Sequence, residues 1–316
     1  IITWSDDHKM NVEIINTLVE KLAENRREGK GESLEDPDYN FTWDIDDRNT
    51  LFDRACKSMS VNGGFILRNF VPENEVQYLR LKLESLLAGK TVASHIANRT
   101  DYESDDYFLN CTFENIPGGK KANPTTLFNY GRPIINVRSG QIGPPGDEGL
   151  VDIFRADPLF LECHKTFNNK ERKDFIINVL RTASGKPYVS RLFNIYVNRS
   201  ITETRGFHAD GFGDKVKAFL YLDDVASPDD GPYCFARGTH DNLAIRKCNI
   251  DIAKWLGQSN GSNYNFWDRK REVKFIGKAG DFAITFQRCA HRGWPQKPGH
   301  HRYALIETFM PEGMDP

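Results

Sequence analysis

The stretch RGFHADGFGD, Arg205–Asp214, holds a histidine and an aspartate two positions apart, His208 and Asp210, with glycines on either side. In an extended strand, side chains at positions i and i+2 point to the same face. The pair can therefore act together, His208 through a neutral imidazole nitrogen and Asp210 through an anionic oxygen. These donors suit a borderline divalent metal such as Fe(II), but a third ligand must come from elsewhere in the chain.

Short runs rich in β-branched and aromatic residues lie on both sides of this stretch. They alternate with Gly, Pro and Asp, which is the pattern of a β-sandwich or barrel. We therefore predict a mainly β fold with flanking helices. The runs are YVSRLFNIYVN (188–198), KVKAFLYLDDV (215–225), REVKFIG (271–277), GDFAITF (280–286) and RYALIETFM (302–310).

Helical spacing of apolar residues predicts the flanking helices, which lie in the first third of the chain. We divide the chain into an N-terminal helical extension, residues 1–60, and a β domain, residues 61–316. The polar stretch around residues 90–150 is predicted to be a long loop insertion in that domain. The predicted elements before this insertion are helices at Asn11–Arg27, Leu51–Ser60 and Pro72–Gly89 and a strand at Gly63–Val71.

The composition excludes several classes of function. The 316 residues carry a formal net charge of -2, so no global field favours nucleic acid or an anionic membrane as a partner. No apolar run approaches the roughly 20 residues that span a bilayer. The six cysteines are widely spaced without a CxxC pair, which favours free thiols in a reducing compartment, the cytoplasm. The chain also lacks a P-loop, a GxGxxG opening a helix, and a GxSxG motif.

Candidates for the third ligand lie in the last quarter of the chain. His291 stands out because it follows an apolar strand and a short bend, and a strand end can deliver a ligand to a distant site. Arg302 comes eleven residues later on the next strand. Its guanidinium is well suited to holding a carboxylate through two hydrogen bonds. The other later histidines, which remain alternatives, are His240, His300 and His301.

The order of these motifs resembles that of the non-haem Fe(II)/2-oxoglutarate-dependent dioxygenases. It is an HxD pair, then a distant histidine, then an arginine about one strand later. Two further stretches are similar to the phytanoyl-CoA dioxygenase-like branch: GGFILRNFVPENEVQYLRLKLESLL (63–87) and FLYLDDVASPDDGPYCFARGTH (219–240). The resemblance covers residues 62–87 and 191–309 well and residues 90–180 poorly. It implies a double-stranded β-helix, which is a cupin-like jelly roll, for the β domain.

The resemblance also implies roles for individual residues. His208, Asp210 and His291 would hold Fe(II), and Arg302 would hold the far carboxylate of the cosubstrate 2-oxoglutarate. On the strand FNIYVN, Asn194 and Tyr196 would add hydrogen bonds to 2-oxoglutarate. With O₂ as the oxidant, decarboxylation of 2-oxoglutarate to succinate would accompany oxidation of a small-molecule substrate.

Two details refine this expectation. Related halogenases replace the carboxylate ligand with a small residue, so Asp210 favours hydroxylation or another oxygen-derived oxidation. The family branch often has Ser two positions after the distal histidine, whereas this chain has Gly293. The Asn, Thr and Arg content of residues 90–150 favours a polar small molecule as the substrate.

Other interpretations of the same residues remain open. His208 and Asp210 could pair with each other in a loop, and Arg302 could form a structural ion pair. With the same fold, the chain could also be a cupin-like metal-dependent isomerase or a binding protein, neither of which needs Arg302 to hold 2-oxoglutarate. No feature of the sequence indicates an oligomeric state.

Overall fold

The computed structural model describes residues 39–44, 47–88, 108–110, 133–137, 149–160, 169–257 and 262–314. The predicted helix at Asn11–Arg27 and most of the N-terminal extension lie outside these ranges. So does most of the predicted loop insertion at residues 90–150.

The described residues form four helices and twelve strands. The helices are α1 (Arg48–Asn62), α2 (Glu73–Leu87), α3 (Lys170–Ser184) and α4 (Leu243–Trp255). The first six strands are β1 (Asn40–Thr42), β2 (Gly64–Arg68), β3 (Phe108–Asn110), β4 (Ile134–Val137), β5 (Val151–Phe154) and β6 (Tyr188–Arg199). The other six are β7 (Val216–Tyr221), β8 (Tyr233–Ala236), β9 (Glu272–Phe275), β10 (Phe282–Phe286), β11 (His291–Gly293) and β12 (His301–Pro311).

The predicted helices α1 and α2 are present, and so is the strand β2 between them. Helix α1 begins at Asp47, whose side chain accepts a hydrogen bond from the Thr50 amide at 3.0 Å. It ends at Gly63, which has a φ of 79°. A Cβ atom at Gly63 would lie 2.5 Å from Nδ1 of His240, so this position needs glycine for space as well as for its backbone conformation.

The strands form two sheets. The larger has nine strands in the order β1-β2-β10-β7-β12-β6-β5-β4-β3, and the smaller has the order β11-β8-β9. The longest pairing joins β6 and β12 antiparallel and sets Arg302 opposite Asn198. Strands β3 and β4 lie within the range predicted as a loop insertion and extend one edge of the larger sheet.

Three apolar clusters of the described residues define the layers. One packs α1, α2 and α3 against the outer face of the larger sheet. A second lies between the two sheets, and a third packs α4 against the far side of the smaller sheet. The prediction of a mainly β fold with flanking helices is therefore confirmed. Helices α3 and α4 are additions that the sequence analysis did not predict.

Strand β7 shows how one segment serves two layers. Ala218 and Leu220 belong to the helix-side cluster, whereas Phe219 and Tyr221 belong to the cluster between the sheets. Both faces are buried, so the strand is a mostly continuous apolar run instead of an alternating one.

None of the helices in the described ranges has the length and apolar character needed to cross a membrane.

Candidate metal centre

His208 and His291 are joined through their backbones. The amide of His208 donates to the carbonyl of His291 at 3.0 Å, and the amide of His291 donates to the carbonyl of His208 at 2.9 Å. This antiparallel bridge adds the His208 segment to the β11 edge of the smaller sheet. The two imidazole rings lie 4.7 Å apart between centroids. Residues remote in the sequence are thereby placed side by side.

Asp210 completes a compact group of three donors. Its amide donates to the carbonyl of Gln287 at 2.9 Å, which fixes the backbone next to the histidines. Its Oδ1 lies 3.5 Å from Nε2 of His208, and its Oδ2 lies 3.8 Å from Nε2 of His291. All three donor atoms lie within 4.8 Å of one another, and no other group of this kind occurs in the described ranges.

The remaining nitrogen of each imidazole is held by a backbone carbonyl. Nδ1 of His208 lies 2.8 Å from the carbonyl of Gly206, and Nδ1 of His291 lies 2.9 Å from that of Cys289. Because a carbonyl can only accept, each Nδ1 carries the proton and each Nε2 keeps its lone pair for a metal. Such outer partners are the usual way in which proteins orient histidine ligands.

The protonation states also suit a metal. Burial lowers the pKa of His208, although the charge of Asp210 opposes this effect. Burial acts to raise the pKa of Asp210, but the charge of Lys217 outweighs it and holds the pKa well below its usual range. A neutral imidazole and an ionised carboxylate are the forms that bind metal ions.

The alternative histidines have other partners. His240 lies 3.2 Å from the carbonyl of Ser60 through Nε2 and stacks on Phe286. His300 and His301 lie 2.7 Å and 3.2 Å from the carboxylate oxygens of Asp230 and Asp223, respectively. Among the described histidines, His208 and His291 are the two that converge with Asp210.

Arg302 lies in the buried interior close to β11. Only 5% of the residue is exposed, its guanidinium donates to the carbonyl of Gly231, and its Nε has no hydrogen-bond partner among the described residues. A Cβ atom at Gly293 would lie 3.5 Å from Nη2 of Arg302. The position at which the related branch often has Ser therefore lies against this guanidinium. On the neighbouring strand, Oδ1 of Asn198 is also buried and unpartnered within the described part of the chain.

The two residues predicted to contact 2-oxoglutarate occupy different surroundings. Oδ1 of Asn194 accepts a hydrogen bond from the amide of Arg155 at 3.1 Å. Tyr196 is half-buried and is a hydrogen-bonding neighbour of Lys217. Both residues lie on strand β6, and Tyr196 is the one with a connection to the triad. Their role toward 2-oxoglutarate stays a prediction.

Lys217 is a component of the site that the sequence analysis missed. Its Nζ lies 2.6 Å from Oδ2 of Asp210, and 16% of its side chain is exposed. Burial acts to lower the pKa of Lys217, but the charge of Asp210 and the hydrogen bond to Tyr196 outweigh it, so the pKa is raised. The signal that could have identified it is a lysine inside the apolar strand β7.

A second missed group of polar residues lies beside the triad. The Tyr233 hydroxyl lies 2.7 Å from Oγ1 of Thr285, which in turn lies 3.3 Å from Nε2 of Gln287. The ring of Tyr233 is 5.9 Å from that of His291 between centroids. Oε1 of Gln287 is buried and has no partner in the ranges that the structure describes. This end of the space between the sheets therefore offers hydrogen bonds to a polar ligand.

A cleft opens next to Asp210. It has a volume of about 490 Å³ and is lined by Arg205, Ala209, Asp210, Gly211, Phe212, Ile250 and Ser262. Arg205 donates to Oγ of Ser262 at 3.1 Å, and the guanidinium of Arg246 lies 3.6 Å from the ring centroid of Phe212. The volume suits a small molecule.

No protein-family model matches the chain, and no curated protein is significantly similar to it. Solved structures do resemble it. The non-heme alpha ketoglutarate dependent carbocyclase SnoK from nogalamycin biosynthesis has 15% identity and a TM-score of 0.50 over 84% of this chain and 85% of that chain. EvdO2 from Micromonospora carbonacea var. aurantiaca has 16% identity and a TM-score of 0.50 over 83% of this chain and 93% of that chain. These two likenesses show a shared fold.

A third solved structure, HygX from Streptomyces hygroscopicus, was crystallised with nickel and 2-oxoglutarate bound. It has 12% identity and a TM-score of 0.48 over 82% of this chain and 87% of that chain. The described residues of the present chain contain a possible metal site of two histidines and one aspartate.

Proposed function

We propose that this chain is an Fe(II)- and 2-oxoglutarate-dependent oxygenase that hydroxylates a polar small molecule while 2-oxoglutarate is decarboxylated to succinate. The convergence of His208, Asp210 and His291 is the observation that carries the proposal. Two imidazole nitrogens and one carboxylate oxygen are the donor set of non-haem Fe(II) oxygenases. When bound, Fe(II) would supply the activation of O₂.

The arrangement of strands supports a double-stranded β-helix for this enzyme. In the larger sheet, β6, β12, β7 and β10 are consecutive antiparallel neighbours. Facing them, the segment at His208 joins β11, β8 and β9 through its bridge to His291. Two facing groups of four antiparallel strands are what a jelly roll requires. The likeness in fold to SnoK agrees with this architecture.

Arg302 and Asn198 fit the cosubstrate. A buried guanidinium with an unpartnered Nε is costly unless a ligand completes its hydrogen bonds, and the same holds for the buried Oδ1 of Asn198. The far carboxylate of 2-oxoglutarate has the charge and the shape to satisfy the guanidinium. Arg302 would therefore bind and orient the cosubstrate, with Asn198 beside it on strand β6.

The cleft beside Asp210 is the proposed substrate site. It reaches the one triad carboxylate and is bounded by an aromatic ring, Phe212, and by the polar side chains of Arg205 and Ser262. Binding there would bring a small molecule next to the metal ligands and displace water from them. The mixture of aromatic and polar walls favours a polar substrate with an apolar part.

Anaerobic addition of Fe(II) and 2-oxoglutarate to the purified protein tests the proposal. We expect a weak visible charge-transfer band that requires both additions, followed by formation of succinate when air is admitted. A matched sample of the Asp210→Ala variant should show neither signal. If the unaltered protein gives no band and no succinate, the proposal is wrong.

The outcome of the oxidation needs its own measurement. SnoK is described as a carbocyclase, so a protein of similar fold is named for a reaction other than hydroxylation. We propose hydroxylation because Asp210 provides the carboxylate that related halogenases lack. A substrate found by its stimulation of succinate release should gain one labelled oxygen atom under isotopically labelled O₂. A product without the label would exclude hydroxylation.

A further inference from the structure

The ammonium group of Lys217 is bonded to one oxygen of the triad carboxylate. Its Nζ lies 2.6 Å from Oδ2 of Asp210, which is within the range of a strong charge-assisted hydrogen bond. Oδ2 also lies 3.8 Å from Nε2 of His291, whereas the other oxygen, Oδ1, lies 3.5 Å from Nε2 of His208 and is not bonded to Lys217. The two oxygens of one carboxylate therefore have different surroundings.

The sheet fixes the position of Lys217. Strand β7 is paired on both sides, with Thr285 of β10 and Thr308 of β12 opposite Lys217. Tyr196 is a further hydrogen-bonding neighbour of the ammonium group. A lysine held in a fully paired strand and mostly buried loses much of its usual freedom to move. The sheet therefore holds Lys217 in place against Asp210, unlike a surface ion pair whose side chains move freely in solvent.

We infer that Lys217 is a positioning residue that occupies Oδ2 of Asp210, so that Asp210 offers a metal only the single oxygen Oδ1. This inference rests on the proposed function. Three protein donor atoms leave three of the six positions of an octahedral metal, which 2-oxoglutarate and O₂ together require. A carboxylate that bound through both oxygens would take one of those positions. Lys217 thereby keeps the metal open for the cosubstrate.

The inference predicts opposite changes in two affinities. In Lys217→Met, the freed Oδ2 can also bind the metal, and a positive charge near the metal is removed. Metal binding should then be unchanged or tighter, whereas 2-oxoglutarate should bind about tenfold or more weakly, the scale on which outer partners of metal ligands act. A lysine with only a structural role would weaken both affinities together.

Co(II) added without oxygen is the probe, because its visible absorption spectrum reports the number and kind of ligands. We would measure the Co(II) Kd, the Co(II) spectrum before 2-oxoglutarate is added, and the 2-oxoglutarate Kd of the Co(II) protein. Lys217→Met should change the spectrum and weaken 2-oxoglutarate binding. Lys217→Arg keeps the charge and the donors, so it should restore values close to those of the unaltered protein.

Two further variants keep the test decisive. Lys215→Met removes a nearby positive charge that does not bond to the Asp210 side chain, so it should leave the spectrum unchanged. Lys217→Gln replaces Lys217→Met if urea denaturation shows that the latter does not fold, and it should act in the same direction. The inference is overturned if the Co(II) spectrum is unchanged in the neutral variant, if 2-oxoglutarate binding is unaffected, or if both affinities fall together. Failure of the unaltered protein to bind Co(II) would instead refute the proposed function.

Discussion

The two faces of the larger sheet carry different kinds of residue although the same strands build both. On β12, Leu305 and Phe309 belong to the helix-side cluster, whereas Ile306 and Arg302 face the smaller sheet. The helix-side face is mostly apolar and is stabilised chiefly by the burial of apolar side chains. The inner face mixes apolar residues with buried polar groups that need a partner or a ligand. Because successive side chains of a β-strand point to opposite faces, the same strands supply one face that stabilises the fold and another that carries the candidate site.

Removal of one of the three candidate ligands is the strongest test of this difference between the two faces. His208→Ala should abolish metal binding, a larger effect than the roughly 10–100-fold loss typical of outer partners. The free energy of unfolding of the metal-free protein should change little, because the histidine contributes to a ligand site and not to an apolar core. Equilibrium dialysis against Fe(II) or Co(II) measures the binding. His300→Ala, whose side chain pairs with Asp230, is the control and should bind metal normally.

A substitution on the helix-side face should show the reverse behaviour. Leu305 is fully buried in the helix-side cluster, so Leu305→Ala should lower the free energy of unfolding by about 2–5 kcal/mol. The folded fraction should bind metal as the unaltered protein does. Urea denaturation gives the stability, with Leu81→Ala as a control, since Leu81 is 58% exposed. A loss of metal affinity in folded Leu305→Ala would contradict the separation of the two faces.

Substitution of Arg302 tests the role of the inner face of the larger sheet. It also distinguishes a 2-oxoglutarate-dependent oxygenase from a metal-dependent isomerase or binding protein. Arg302→Gln should weaken 2-oxoglutarate binding by about 10–100-fold, because two charge-assisted hydrogen bonds are lost, and should leave metal binding unchanged. A metal-dependent isomerase or binding protein would not show this selective loss. Isothermal titration of the metal-loaded protein gives both values. The matched control is Arg199→Gln, which removes a hydrogen bond to the Tyr303 hydroxyl at 2.7 Å.

Glu307 is the exception on the helix-side face. It lies opposite Ala218 and Phe193, and burial raises its pKa to about 7, although Ser190 and Lys173 oppose the shift. A carboxyl whose pKa is raised on folding contributes stability that is complete below its unfolded pKa of about 4.5 and is lost as the pH rises toward 7.

Glu307→Gln should therefore have a stability similar to that of the unaltered protein near about pH 4.5 and should be more stable near about pH 8, by roughly 1–3 kcal/mol. Urea denaturation across this range measures the difference. Glu84→Gln, at a partly exposed position of α2 in an ion pair with Arg80, serves as the control. A constant difference between Glu307→Gln and the unaltered protein at all pH values would mean that the carboxyl does not titrate in this way.

Much of the fold could be predicted because its strands carry local signals. The apolar runs of β6, β7, β10 and β12 and the helical spacing of α2 identified those elements. Helices α3 and α4 were missed, although Asn169 and Asn242 cap their first turns. Both helices also carry buried apolar residues at helical spacing, among them Phe175, Val179 and Leu180 of α3, so this signal was present in the sequence.

The three candidate ligands could be proposed from the sequence, whereas the residues around them could not. His291 was preferred over His300 and His301 because it follows a strand, and the structure brings it to His208. Lys217 could have been noticed as a lysine inside an apolar strand, but its contact with Asp210 depends on how the loop before β7 folds back. Asn198 was given no role from the sequence, because its position opposite Arg302 depends on the register of two strands.

The two backbone hydrogen bonds that His208 and His291 exchange couple two candidate ligands mechanically. A fluctuation that opens the 205–214 segment breaks both hydrogen bonds at once and moves His208 and Asp210 together away from His291, so release of a bound ion and local opening would be a single cooperative event. Binding of an ion should then slow amide hydrogen exchange at both positions by the same factor. The lifetime of the loaded state would be set by the opening rate of this short segment and not by the stability of the whole domain.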